Sequence, residues 1–444
     1  MRVLFVVLLW MLPLIAPATA QPFSLLQLPQ SPEAVALGDA TVATSTADVL
    51  GFLANPALLG HPTANGLRLS GAPRTAWLGV DDLDRSSYAF SVGLDAQRFG
   101  IPLHLGIGVA RSRLEFGTVT YRSESDEVIG EISPEESFTA LNVGVGYDGP
   151  IAVSLGLGIR WAKETSVFLV QGGEEVLFPG EVDPEELSDT ESLVLSATAV
   201  DLGVLADIPV ARLAGWRTNE HEGVDLNVRL AYARTRGAEE PELSPEFPGA
   251  AFAFYGREPA PSFVRLGWAV TAGYDLAVRS GHVRAAALTL SVQADQEVTS
   301  PAVGDWFGSI RFADALIGRG DDGLRSCPDE LPVGVSCVPN LVNPYIGRRG
   351  MQLVLGETFT ASFGRFEGGG FTREGDAPTT YGLGFSLGGL VRLAGLLQEN
   401  PRVYRLGERF DLRMTRSVYF ASDDDRDFDR GTVFWGTTLS ARLP

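Results

Sequence analysis

Residues 432–443 read Thr-Val-Phe-Trp-Gly-Thr-Thr-Leu-Ser-Ala-Arg-Leu. Val433, Trp435, Thr437, Leu439, Ala441 and Leu443 are apolar or β-branched, whereas Phe434, Gly436, Thr438, Ser440 and Arg442 are mostly small or polar. A two-residue period puts one set on each face of a strand. The pattern recurs upstream. Leu103, Leu105, Ile107 and Val109 alternate with His104, Gly106 and Gly108; Ile151 to Trp161 alternates with Ala152, Ser154, Gly156, Gly158 and Arg160. Val224 to Tyr232 and Ala286 to Ala294 do the same. A sheet that is apolar outside and small or polar inside is stable when closed in a lipid bilayer.

Alternation along the chain predicts an all-β, antiparallel transmembrane β-barrel of about fourteen strands, an even number as such barrels require. The predicted strands are 66–80, 86–95, 102–122, 138–147, 151–170, 192–207, 224–236, 262–276, 282–298, 350–356, 358–366, 379–390, 410–420 and 432–442. With a periplasmic start, the external connections are 81–85, 123–137, 171–191, 237–261, 299–349, 367–378 and 421–431, and most of the long ones fall in this set. Two periplasmic connections, 208–223 and 391–409, are longer than such turns usually are, and Leu390 to Leu397 reads as a short helix. Residues 21–65 do not alternate. Asp48 is placed to cap a short helix ending before Pro56, and the segment has the size of a plug within residues 66–444.

Residues 1–20 read as a secretory signal: Arg2, an apolar run from Val3 to Ile15, and Ala18-Thr19-Ala20 before the cleavage point. The run is too short for a spanning helix. The expected location is therefore the outer membrane of a Gram-negative bacterium. The formal net charge of −20 argues against nucleic-acid partners. The acidic side chains crowd predicted loops, with Glu124, Asp126, Glu127, Glu131, Glu135 and Glu136 in one and Glu174, Glu175, Glu181 and Asp183 in another. A solvated surface explains most of such crowding. Cys327 and Cys337 read as a local disulfide in an exported chain.

The catalytic motifs fail on context. Gly144-Val145-Gly146-Tyr147-Asp148-Gly149 fits a dinucleotide fingerprint, but a strand rather than a helix follows it. Gly384-Phe385-Ser386-Leu387-Gly388 fits a nucleophile elbow, yet His61, His104, His221 and His282 all precede Ser386. Asp425, Asp427 and Asp429 begin like a calcium loop, but the glycine, Gly431, comes one place late and Gly436 stands where a bidentate Glu belongs. No catalytic residue, metal site or cofactor is expected. Arg160, Asp225, Asn227, Arg229, Asp411, Arg413 and Arg442 fall on the lumen-facing set, where they would pair and seal the pore or line a hydrated path.

Ala34-Val35-Ala36-Leu37-Gly38-Asp39-Ala40, followed by Asn55-Pro56-Ala57-Leu58-Leu59, resembles the N-terminal signature of the PorV and FadL-type outer-membrane barrels. Gly350 to Phe359 and Tyr381 to Phe385 resemble later strand pairs of the PorV branch. The resemblance implies a fourteen-stranded barrel with a plug built around Gly38, Asp39, Asn55, Pro56 and Ala57. It also implies a non-enzymatic role. The PorV branch would make the chain a shuttle for exported proteins in type IX secretion, with secretion components and outer-membrane lipid as partners. The FadL branch would make it a channel for hydrophobic small molecules.

Overall fold

A computed structural model describes residues 24–26, 29–44, 48–76, 84–122, 128–170, 190–216, 223–237, 242–243, 261–278, 281–298, 310–320, 345–367, 379–420 and 432–442. The expected signal segment, Cys327, Cys337, Asp425, Asp427 and Asp429 lie outside the described residues, as do most residues of the connections expected to be external.

Fourteen strands form one closed ring. They are β1 (Gly66–Ala76), β2 (Asp84–Asp95), β3 (Leu103–Glu115), β5 (Val128–Tyr147), β6 (Ala152–Val170), β7 (Thr190–Pro209) and β8 (Gly223–Gly237). The ring continues through β10 (Phe263–Val278), β11 (Gly281–Glu297), β12 (Tyr345–Leu355), β13 (Phe359–Glu367), β14 (Thr379–Ser386), β15 (Phe410–Phe420) and β16 (Thr432–Ala441). Each pairs antiparallel with its neighbour, β3 pairs with β5, and β1 closes the ring on β16 from Leu67↔Ala441 to Gly71↔Thr437. Two short strands, β4 (Val119–Arg122) and β9 (Glu242–Leu243), only extend the hairpins at the rim. Closure leaves no unpaired edge in the hydrocarbon, where each orphan backbone group would cost several kcal/mol.

The expected faces are the observed ones. Leu105, Ile107 and Val109 point outward and are 45, 46 and 43 % exposed, while His104, Gly108 and Ala110 between them are buried. Trp435 and Leu439 point outward and Phe434 and Thr438 inward. An apolar belt this continuous around a closed sheet is stable in lipid rather than water. The ring is uneven in height. β5, β6 and β7 have 20, 19 and 20 residues, whereas β13 and β14 have 9 and 8. About 9–11 tilted residues cross a bilayer, so the tall staves continue beyond it.

Three expectations are corrected. Residues 128–137, read as loop, belong to β5; Glu135 pairs with Arg113 at 2.6 Å, and Glu136 accepts from Leu25 N at 2.8 Å. Alternation of Glu and Ser with Ile and Phe there was masked by the density of acids. The predicted strand 102–122 breaks after Glu115. The predicted strand 379–390 ends at Ser386, because Leu387 onward forms a helix. Among the described residues there are five α-helices: α1 (Pro32–Ala36), α2 (Val210–Leu213), α3 (Phe312–Ile317), α4 (Leu387–Leu397) and α5 (Pro401–Arg409). The long connection 391–409 is thus mostly helical, with Gly395 against the Tyr404 backbone where α4 and α5 cross.

Residues 29–44 and 48–65 lie against the inner faces of strands around the ring. Ser31 caps α1 by accepting from Ala34 N at 3.0 Å, and Pro32 supplies the fixed first-turn φ. Asp48 caps the 3-10 turn Val49–Leu53 by accepting from Leu50 N at 2.9 Å. Leu50, Phe52 and Leu53 pack on Ala110, Phe138, Ala140 and Ala162, so the hydrophobic core is inside the ring. The lumen-facing set therefore holds Ala and Phe as well as the polar residues expected there.

Candidate functional site

The segment is seated on glycine. A methyl on Gly106 would stand 2.2 Å from Leu59 O, on Gly144 2.4 Å from Gly60 N, and on Gly156 2.2 Å from the Pro56 carbonyl carbon. Across the lumen, one on Gly364 would stand 2.0 Å from Gly38 N. Backbone therefore meets backbone at a distance that no Cβ permits. The glycines of the false dinucleotide fingerprint, Gly144 and Gly146, serve this seat: both face Gly60. Gly38 and Asp39 are consecutive left-handed residues at φ 60 and 59. Gly38 has no Cβ to hinder that turn, and its N–H reaches Thr380 Oγ1 at 3.1 Å.

Asn55 is fully buried. Its Nδ2 donates to Val42 O at 3.0 Å and to Val204 O at 3.2 Å, and its Oδ1 accepts from Ala57 N at 3.0 Å. Pro56 then starts the turn Pro56–Gly60. Ser70 of β1 ties three elements together: its Oγ accepts from Val49 N at 3.0 Å and lies 2.8 Å from Thr438 Oγ1 of β16.

The charged lumen residues are paired or clustered. Arg160 Nε donates to Asp201 Oδ2 at 2.6 Å and its Nη2 to Leu53 O at 2.6 Å, all deeply buried. Arg229 meets Asp207 at 2.8 Å, and the same carboxylate takes His61 Nε2 at 2.9 Å. Thr63 N donates to His61 Nδ1 at 3.3 Å, which fixes the neutral tautomer; burial pushes the His61 pKa down, against the pull of Asp207. Asp225 pairs with Arg284 at 2.6 Å and accepts from Asn227 Nδ2 at 3.1 Å. Arg348 bridges Asp295 at 2.7 Å and Asp39 at 3.3 Å. Asp411 takes Ser386 Oγ at 2.7 Å and Gly388 N at 2.8 Å. Ser386, the residue of the false elbow, is thereby the cap of α4.

Arg413 and Arg442 are placed differently. They stand near enough to Arg68 to repel it, and among the described residues none of the three has an ion pair. Arg68 also lines a narrow crevice between the segment and β1–β2, with a cavity volume of about 20 Å³, room for little more than a water molecule. Its walls are Val49, Phe52, Leu58, Leu59 and Ala64, with Asp48, Thr63 and Ser91 as polar points. Burial pushes the Asp48 carboxyl up to about 6, and the neighbouring Glu33 carboxylate adds to the shift.

Sequence reasoning missed Arg68, His61, Asp207 and the Glu33–Asp48 pair. The one available signal was the crowding of glycine on the inward set of adjacent strands. Among the described residues, no three His, Cys, Asp or Glu are grouped to hold a metal.

No family model matches the chain, and no curated protein does. Among solved structures, the CymD monoaromatic hydrocarbon channel is similar at 13 % identity and TM-score 0.41, over 95 % of this chain and 100 % of that one. The Pseudomonas putida toluene transporter TodX gives 10 %, 0.39, 91 % and 95 %. A Pseudomonas aeruginosa FadL homologue gives 11 %, 0.35, 95 % and 98 %.

Proposed function

We propose that the chain is an outer-membrane channel for hydrophobic small molecules, with residues 21–65 as its plug and an acidic group on the ligand favoured by Arg68. The crevice between segment and wall carries the proposal. Apolar walls with a few convergent polar groups suit a small ligand that is mostly hydrocarbon once the segment shifts off β1–β2, since the crevice as it stands has room for little more than a water. A guanidinium with no carboxylate partner among the described residues suits a carboxylate or similar anion at that end. The tight glycine seat supports a plug that blocks bulk solvent and gives way locally.

The test is binding to the purified full chain in detergent. Long-chain aliphatic carboxylates and the matching neutral alcohols are titrated against wild type and Arg68→Gln. The expected result is saturable binding of both, with only the carboxylate weakened by the substitution. Absence of binding to either would overturn the proposal. The shuttle for exported proteins rests on the sequence resemblance alone, and no described residue favours it over a channel. Exported proteins retained on the barrel during purification would revive it.

A further inference from the structure

The periplasmic end carries a surface that neither the lumen nor the ring uses. β14 descends to Ser386 with Tyr381 and Leu383 pointing outward, 47 and 65 % exposed. α4 follows without a break. Leu387, Leu390, Ala394 and Leu397 recur at i, i+3, i+7 and i+10, so they share one stripe. Leu387, Leu390 and Leu397 are exposed, Leu397 by 79 %. The opposite face is fixed: Gly388 lies against Phe410 O, Gly389 against Glu357 O, and Arg392 is ion-paired with Glu357. α5 returns the chain to the wall with Leu406 exposed, and Phe410, Leu412 and Met414 of β15 resume the outward belt. The exposed apolar residues of the hairpin are thus continuous with the lipid-facing belt on both sides.

The same hairpin has a small basic excess, three arginines of α5 against Glu399 and Glu408, with Arg392 already paired to Glu357. Arg402, Arg405 and Arg409 of α5 are all exposed, and among the described residues none forms an ion pair. This occurs in a chain of net charge −20.

We infer that α4 and α5 form an interfacial foot that binds anionic phospholipid of the periplasmic leaflet. The leucine stripe enters the acyl boundary, and Arg402, Arg405 and Arg409 hold lipid phosphates. Amphipathic helices with arginine on the polar side lie in the interface plane in this way, and guanidinium matches phosphate geometry. A face continuous with the hydrocarbon belt meets lipid before it meets any soluble partner.

The experiment uses the full chain in neutral detergent with added phosphatidylglycerol or phosphatidylcholine, read by native mass spectrometry. Heat-modifiable gel mobility confirms that each variant is a folded barrel. Wild type is expected to retain phosphatidylglycerol in preference to phosphatidylcholine. The triple variant R402Q/R405Q/R409Q should lose that preference by about a hundredfold, since each surface arginine contributes roughly fivefold. The variant R311Q/R319Q, at the external helix α3, should keep it. Amide exchange across 387–409 should slow in phosphatidylglycerol nanodiscs relative to phosphatidylcholine ones. Equal retention of the two lipids by wild type, or a triple variant that behaves as wild type, would overturn the inference. Neither readout depends on what passes through the lumen.

Discussion

Asn55 donates to the carbonyl of Val204 in β7 across a sequence separation of 149 residues. The same amide group holds Val42 O, so one side chain fixes two turns of the segment to each other and to the wall. Asn55→Leu removes both donors and the acceptor for Ala57 N. Unpaired buried groups cost about 1–3 kcal/mol each, so a loss of roughly 3 kcal/mol is expected. Asn55→Asp should be no better, since a carboxylate cannot donate to two carbonyls. Denaturant midpoints in detergent, with proteolysis of residues 24–65 as a second readout, check this. Unchanged midpoints and unchanged protection would refute it.

Gly156→Ala tests the seat. Its methyl would meet the Pro56 carbonyl carbon, backbone on both sides, so no rotamer change relieves the contact. The turn Pro56–Gly60 must lift away. Larger single-channel conductance in planar bilayers is the expected outcome. Gly384→Ala is the comparison, since its methyl would meet only Thr360 Cβ at 3.2 Å. Equal conductance in both variants would argue that the seat does not obstruct the lumen.

The Arg160–Asp201 pair is buried to 1 and 2 %. Arg160→Met leaves Asp201 without its guanidinium, although Thr235 Oγ1 still donates to it at 2.6 Å. Removing one partner of a buried pair costs about 3–5 kcal/mol. The double variant R160M/D201L should recover much of that loss. A double-variant cycle on unfolding in detergent measures it, and strictly additive losses would contradict a coupled pair.

Asp48 makes the segment sensitive to pH. Its carboxyl rises from an ordinary 3.8 to about 6 because burial and Glu33 disfavour the charge. A raised acid favours the folded state when protonated, so stability is gained as pH falls through about 6 and lost as it rises through the same range. Amide exchange at residues 48–53, corrected for intrinsic rate, should show stronger protection at pH 5 than at pH 8. Asp48→Asn should flatten the difference. A wild-type profile that is flat, or slopes the other way, would contradict this origin.

The barrel was legible because lipid imposes a period of two that few other environments impose, and Leu105, Ile107, Val109, Trp435 and Leu439 obey it. Asp48 as a cap and Asn55-Pro56 as a turn start were legible because both act on backbone a few residues away. The pairings were not. Asp207 finds His61 at a separation of 146 residues and Arg348 of β12 finds Asp39 of the segment, and strand register alone decides which inward residues coincide. The strand 128–137 was missed because acids that point outward or into the segment look, in one dimension, like loop acids.

Ser70 has a consequence for assembly. The hydroxyl that accepts from Val49 N stands beside Thr438 at the junction of the first and last strands, the shortest seam in the ring. The strand that completes the circle is joined directly to the segment through Asn65. Seating the N-terminal residues and closing β1 onto β16 therefore share one hydroxyl, and a chain whose seam stays open also loses the tie that its wall makes to that hydroxyl.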